Sequence, residues 1–539
     1  MALFSRFFSV FILLLLLQPP TVFGSPKLVL LLSLDQLSPG RLNAEMLGGL
    51  GRLIREGRVF SNASLNHGVT TTCPGHVVIA TGVNPAKAGI AGNRYIDHAT
   101  GEQRYCVDDT DDANRVYGAE NNRSPNAMTV TALGDWLKAS SPTSRVYSVS
   151  GKDRAAITLG GKNPNGVYWY ESEVAKFTSS RYYGPLPDYV ESFNGENFFL
   201  DGFGARYPET WEHEAGSLRA DDYVGESEEY LRYSGHPLNI GELEDRAAQF
   251  HSSPFLDLAT TELAKRIIEE EELGQRGVTD LLAISYSSLD VVGHRYGPYS
   301  GESEDTLSRA DETIGELLTF LDERLGNNYI VALTSDHGVL PLPEWLVETG
   351  DMRCPVEGGR VSIIKAMFGL YWQMYVDFTA PFDSPMDLVG FTGAGATVSE
   401  NYAKQVGTTV KKVVGSLENY LEEQIYIEEA WTLAEIEASD DQVARLYMNS
   451  FVPGKSPHLF IQQKRDCLIF FDEGTTHGTA YDYDRRVPLI FYGLGVESGV
   501  VIEEVHSIDI APTLGNKLGL DLAENLDGRV LDLGNFSEK

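Results

Sequence analysis

Long apolar runs, cysteine and basic charge are all scarce in this chain of 539 residues. The most conspicuous apolar run, Phe7–Leu17 within MALFSRFFSVFILLLLLQPPTVFG, is 11 residues long, against the roughly 20 that a bilayer-spanning helix needs. Arg6 stands before it and Val22 and Gly24 after it, so residues 1–24 read as a cleaved secretory signal. No cysteine lies near the cleavage region and the C-terminus, NFSEK, is polar, so neither a lipoprotein nor a tail anchor is indicated. The expectation is an exported protein, periplasmic or secreted, with no stable membrane anchor.

Lys and Arg number 43 against 77 Asp and Glu, and loss of Arg6 with the signal takes the net charge from −34 to −35. Such a surface repels nucleic acid, and no nucleic-acid binding is expected. An anionic substrate would need a locally positive site. The four cysteines, Cys73, Cys106, Cys354 and Cys467, suit an oxidising compartment without making a disulfide scaffold, and no spacing forms a CxxC metal clip. Sequence does not choose among the three possible pairings; Cys73 with Cys106 and Cys354 with Cys467 is the expectation.

What is present is an alternation of strands and helices. KLVLLLSLD (27–35) is a short apolar run of the kind buried parallel strands show, and it ends on Asp35. Met46, Leu47, Leu50, Leu53 and Ile54 recur at helical spacing. Leu256, Leu263, Ile267 and Ile268 predict another helix, TDLLAISYSSLD (279–290) a strand, Leu307, Ile314, Leu317, Leu318 and Leu321 a helix, and YIVALTSDHG (329–338) a strand. This order implies parallel neighbours with right-handed crossovers, hence an α/β sandwich with a central, mostly parallel sheet flanked by helices. Stretches at about 155–250 and 345–460 interrupt the alternation and read as cap insertions on a single domain, residues 25–539. DDTDD at 108–112 lacks the glycine and spacing of a calcium loop and reads as solvated charge.

Acidic and histidine residues recur at the predicted strand ends. Asp35 closes the first strand, Asp290 the second, and Asp336 with His337 the third; His294 follows Asp290 by four residues, and His477 precedes a further apolar strand. The carboxyl ends of strands in an open α/β sheet form the binding crevice, so these six side chains converge on one edge. Three aspartates and three histidines suit two divalent metals with mixed oxygen and nitrogen donors, a composition that favours zinc. Two such ions outweigh three carboxylates, which makes the pocket positive inside a negative protein and suits phosphoryl transfer. In TTTCPGHVVIATG (70–82), Pro74 is placed as the first residue of a helix, with the Thr72 hydroxyl near its positive end. An alcohol becomes a nucleophile when a metal or base lowers its pKa, although the same threonines also suit plain helix capping. Cys73 is disfavoured as a nucleophile, because Ile79 stands where a tyrosine-phosphatase loop needs arginine and the sulfatase pattern C-x-P-x-R is absent.

Together, TCPGHVVIATGVNPAKAGIAGNRY, SLD at the first strand end, LDVVGH, TSDHG and HGTAYDYDRRVPLIFYG resemble the alkaline phosphatase superfamily. The resemblance is greatest to its threonine-nucleophile branch, shared by nucleotide pyrophosphatase/phosphodiesterases and bacterial phosphate-irrepressible alkaline phosphatases. It implies an alkaline-phosphatase-like sandwich, Thr72 as nucleophile and Asn93 as a donor to a phosphoryl oxygen. It also implies two Zn2+ per chain, one on Asp290, His294 and His477 and the other on Asp35, Asp336 and His337 together with Thr72. Lys152 and Arg154 in GKDRAA, which alone read as an exposed basic loop, resemble the monoesterase signature. A monoester dianion offers unsubstituted oxygens to Lys, to bidentate Arg and to Asn, whereas a diester replaces one of them. The implied activity is hydrolysis of small-molecule phosphate monoesters through a covalent phosphothreonine. A phosphodiesterase or nucleotide pyrophosphatase on the same scaffold is the alternative, and a non-catalytic metal- or phosphate-binding protein a distant one. The oligomeric state is left open, with a monomer expected.

Overall fold

Every residue of β1, Leu28–Leu34, is buried, as befits a strand paired on both edges and covered on both faces. The computed structural model describes residues 24–197, 207–213, 219–227, 234–378 and 388–534; apart from Gly24, the expected signal lies outside them. β1 is the middle strand of nine. The others are β2 (Arg58–Ser64), β3 (Val146–Ser150), β4 (Gly166–Glu171), β5 (Lys176–Thr178), β6 (Asp280–Tyr286), β7 (Tyr329–Thr334), β8 (Leu489–Gly493) and β9 (Gly499–His506), in the order β9-β2-β8-β7-β1-β6-β3-β4-β5. Pairing is parallel from β7 through β1, β6 and β3 to β4, so five carboxyl ends share one edge. β8 and β5 flank this block antiparallel.

The helices that matter for the site are α1 (Gly49–Glu56), α2 (Thr72–Thr81), α3 (Asp153–Gly160), α4 (Phe255–Glu270), α5 (Ser288–Tyr296) and α6 (Gly301–Leu325). Side chains alternate across β1, so Leu28, Leu30, Leu32 and Leu34 join a core with Leu263 and Ile267 of α4 and Leu317 and Leu321 of α6. Val29 and Leu31 face the opposite layer, which includes Ile79 of α2. The expected helix near residue 50 starts at Gly49, leaving Met46 and a 95 % exposed Leu47 outside it.

Within the stretch at about 155–250, β4 and β5 extend the central sheet. Residues of the second stretch build a separate four-stranded sheet from Val389–Thr392, Gly395–Val398, Ile427–Thr432 and Leu459–Gln463 with its own apolar core. The disulfides are Cys73–Cys106 and Cys354–Cys467, the expected pairing. Among the described residues no helix is long and apolar enough to cross a membrane.

Candidate active site

Asp35 follows β1, while Asp336 and His337 follow its parallel neighbour β7, so strand pairing alone brings three candidate ligands to one edge. Asp290 does not close β6 as the sequence pattern suggests; it lies in the first turn of α5, with His294 one turn further on the same face. His294 Nε2 is 3.2 Å from Asp290 Oδ1. The start of α5 is held by Asp257 on α4, whose Oδ1 accepts the Ser287 and Ser288 N–H groups at 2.8 and 3.2 Å, donors that a helix start leaves open. His477 is carried by a loop pinned on Asp484, whose Oδ2 accepts the N–H groups of Gly478 and Thr479 at 3.0 and 2.8 Å.

The side chains form two overlapping groups, Asp35 with Asp336 and His337, and Asp290 with His337 and His477, the donor atoms of each lying within 4.8 Å of one another. His337 therefore sits between the groups, stacked 3.4 Å from the His477 ring. His294 joins through Asp290 from the more open side, with 33 % of its side chain exposed. The division implied by resemblance gave His337 to one group alone.

Three histidines share one device. Nδ1 of His294, His337 and His477 lies 2.8, 3.0 and 2.7 Å from the backbone oxygens of Thr475, Gly338 and Thr70. A carbonyl only accepts, so Nδ1 carries the proton and the Nε2 lone pair is left for the carboxylate cluster. His337 Nε2, Asp35 Oδ1 and Asp336 Oδ2 are buried with no hydrogen-bond partner. Lone pairs crowded without donors are costly to bury, and this mixed nitrogen and oxygen set fits divalent cations of zinc type. Burial, then repulsion from Asp290 and Asp336, raises the Asp35 carboxyl well above the ordinary carboxylate range. At Asp290 burial acts the same way but is overcome by His294 and Lys152, which hold that carboxyl well below its ordinary range. The Lys152 ammonium lies 2.5 Å from Asp35 Oδ2 and also donates to Asp290 Oδ2.

α2 begins at Thr72, two residues earlier than the proline suggests. Pro74 is its third residue, where a helix still has no use for an N–H. Thr71 makes no side-chain cap and the Thr70 hydroxyl donates to Thr479 O at 2.8 Å, so neither threonine caps through its side chain. Thr72 is fully buried, and its Oγ1 accepts from Arg154 Nη2 at 3.3 Å. A Cβ on Gly75 would come within 2.2 Å of Asp336 O, so only glycine lets the start of α2 approach the carboxylate and histidine cluster this closely. Asn93 Oδ1 accepts the Cys73 N–H at 2.8 Å, which leaves the amide NH2 as a donor.

Lys152 and Arg154 are not an exposed loop. Lys152 is the N-cap residue of α3 and is buried. Arg154 Nη1 donates to Tyr105 OH at 3.2 Å, and that hydroxyl donates to Asp153 Oδ1 at 2.6 Å. Arg123 completes the chain with Nε on Asp153 Oδ2 at 2.7 Å and Nη1 on Asp108 Oδ1 at 2.6 Å. The Cys73–Cys106 bond ties α2 to the segment carrying Tyr105, and it removes Cys73 from consideration as a nucleophile. Lys152, Arg154, Arg123, Asp290 and His294 line a cleft of about 450 Å³.

Residues 29–353 match the family model described as type I phosphodiesterase / nucleotide pyrophosphatase. The chain belongs to this family. It is 30% identical over 533 residues to alkaline phosphatase PhoV of Synechococcus elongatus, covering 95% of this chain and 93% of that one. It is 28% identical over 543 residues to alkaline phosphatase PafA of Elizabethkingia meningoseptica, covering 94% and 93%. The crystal structure of wild-type alkaline phosphatase PafA superposes with a TM-score of 0.82 at 25% identity, over 94% of this chain and 98% of that one. The phosphodiesterase / nucleotide pyrophosphatase match ends before His477, which the whole-chain similarities to the two phosphatases include.

Several supports of the site escape sequence reasoning about this family member. Gln36 donates through its backbone N–H to Asp336 Oδ1 at 3.2 Å and through Nε2 to Asp290 Oδ1 at 2.7 Å. It takes a left-handed backbone, φ 69°, to do so. Its only signal is adjacency to Asp35. Tyr105, Arg123 and Asp257 have none, and the DDTDD segment is bonded rather than simply solvated, Asp108 to Arg123 and Asp109 to Asn114 and Asn126.

Proposed function

We propose that this chain is an exported alkaline phosphatase that hydrolyses small-molecule phosphate monoesters through a phosphothreonine on Thr72. The observation that carries the reading is the pair Lys152 and Arg154, with Lys152 buried on Asp35 and Asp290 and the part-buried Arg154 in direct contact with the Thr72 hydroxyl. Asp35, Asp336 and His337 would hold one Zn2+ and Asp290, His294 and His477 the other, with His337 near both. When bound, the two ions lower the pKa of the Thr72 hydroxyl and of water, and offset charge on the leaving oxygen.

The protein's own part begins with binding. Arg154 and the Asn93 amide hold phosphoryl oxygens, and Lys152 adds its charge once cations have taken up Asp35 and Asp290. The positive end of α2 favours the same anion. Thr72 Oγ1 attacks phosphorus in line, its proton passing to solvent as the Thr72 O–P bond forms and the ester P–O bond breaks, and the alcohol leaves with a proton from solvent. Water then attacks the phosphothreonine from the vacated side, which frees phosphate and restores Thr72. With every oxygen but one unsubstituted, a monoester engages Arg154, Asn93 and Lys152 together. Comparing kcat/KM for an aryl phosphate monoester and the matching diester, on protein of measured metal content, tests the reading. A strong monoester preference with two zinc ions at the active-site ligands is expected. A diester preference would refute it in favour of phosphodiesterase or pyrophosphatase action.

A further inference from the structure

We propose that the chain holds another divalent ion of zinc type on His213, His236 and Glu302, with Asp221 at the rim, apart from the active-site ligands. The Nε2 atoms of His213 and His236 lie 3.3 and 3.2 Å from the same oxygen, Glu302 Oε1, and one donor atom from each of the three residues falls within 4.8 Å of the others. Asp221 Oδ1 is 3.3 Å from His213 Nε2. The His213, His236 and Glu302 side chains are 5%, 4% and 2% exposed, against 41% for Asp221. The cluster is thus enclosed on three sides and open on the fourth, where an ion enters.

The local fold builds this cluster. Trp211 and His236 pair across a short antiparallel ladder, which places His213 two residues beyond the same rung, and Glu302 projects from the first turn of α6. A Cβ on Gly301 would lie 2.5 Å from His213 Cε1, so glycine makes the space for that ring against the helix start. Tyr296 OH lies 3.3 Å from His236 Nδ1, the outer hydrogen bond that typically orients a metal-ligating imidazole and fixes its tautomer. Two nitrogen and two oxygen donors match the number and type that tetrahedral zinc takes, whereas calcium and magnesium prefer oxygen throughout. Tyr296 ends α5, the helix of Asp290 and His294, and Glu302 lies in the first turn of α6. The ion would pin the segments 207–213 and 234–237 to the junction of the two helices, a structural role that does not depend on the phosphatase reading.

Zinc content per chain, measured on purified full-length protein after dialysis against trace zinc, tests this against a His213→Ala, His236→Ala double variant. The expected result is one zinc fewer per chain in the variant, with the active-site complement retained; equal content overturns the proposal. Anomalous diffraction at the zinc edge on wild-type crystals gives the answer without any variant. A peak between His213, His236 and Glu302 supports the site, and its absence in crystals that show peaks at the active-site ligands refutes it.

Discussion

Arg154→Ala separates monoester from diester recognition more cleanly than any other single change. The guanidinium is held by Tyr105 OH at 3.2 Å and reaches Thr72 Oγ1 at 3.3 Å, so it is oriented on the proposed nucleophile before substrate arrives. A hydrogen bond to a charged group contributes about 1.5–3 kcal/mol, and the planar fork can make two of them to a dianionic phosphoryl group. Losing both costs about 3–6 kcal/mol, a fall of roughly 10²–10⁴ in kcat/KM. A diester, with one of those oxygens esterified, keeps at most one contact and should lose only about 10–10². The monoester-to-diester ratio should therefore drop by one to two orders of magnitude while zinc content holds steady. Steady-state kinetics with matched aryl substrates read the ratio directly; equal losses for both would show that Arg154 is structural and remove the main support for the monoesterase reading. Tyr105→Phe, which keeps the guanidinium but takes away its anchor, should shift the ratio the same way by a smaller factor.

Three further outcomes follow from the geometry. Thr72→Ala should abolish turnover and leave metal content largely intact, and wild-type-like turnover would refute the nucleophile assignment. Asp257→Ala removes the acceptor at the start of α5, at a cost of about 1–2 kcal/mol for a lost cap; thermal melts should show lower stability, and zinc titrations should show a higher concentration needed for half-maximal activity. An unchanged zinc requirement would mean that Asp290 is placed without Asp257. His67 is fully buried, and that burial, with Arg485 and His506 nearby, pushes its imidazole down to about 3, whereas the unfolded chain protonates near pH 6.5. Its contribution is complete above pH 6.5 and is lost as pH falls toward 3, by up to roughly 4–5 kcal/mol, of which about 2 kcal/mol goes between pH 6.5 and 5. Denaturant unfolding at pH 7.5 and pH 5 should show wild type losing more stability on acidification than His67→Leu, and parallel losses would contradict the account.

The central strands were legible because β1, β6 and β7 are buried along their whole length, which keeps polar residues few within each apolar run. Asp35, Asp336 and His337 stood out for the same reason, as the first ionisable residues after such runs. Asp290 was misplaced by half an element because nothing local to the SYSSLD segment marks where the helix starts; the cap comes from Asp257, 30 residues upstream. Gln36, Tyr105 and Arg123 were invisible because their role lies in polar contacts across long sequence separations, which leave no periodicity. β4 and β5 were absorbed into a supposed cap since their aromatic, polar-flanked sequence lacks the apolar continuity of the central strands. The histidine tautomers, set by backbone carbonyls of Thr70, Gly338 and Thr475, belong to tertiary structure alone.

The position of β1 bears on the order in which the chain can mature. This strand is among the first parts of the domain to be synthesised, yet its two partners are Asp280–Tyr286 and Tyr329–Thr334. At ribosomal rates of about 5–20 residues per second, some 250 residues of further synthesis keep its leucines unpaired for roughly 12–50 s. An open hydrophobic edge of that duration is exposed to capture by other nascent chains until β6 and β7 pair with it. The candidate metal centre inherits the same schedule, because Asp35 waits for His477, and a product of translation interrupted before residue 477 lacks that ligand.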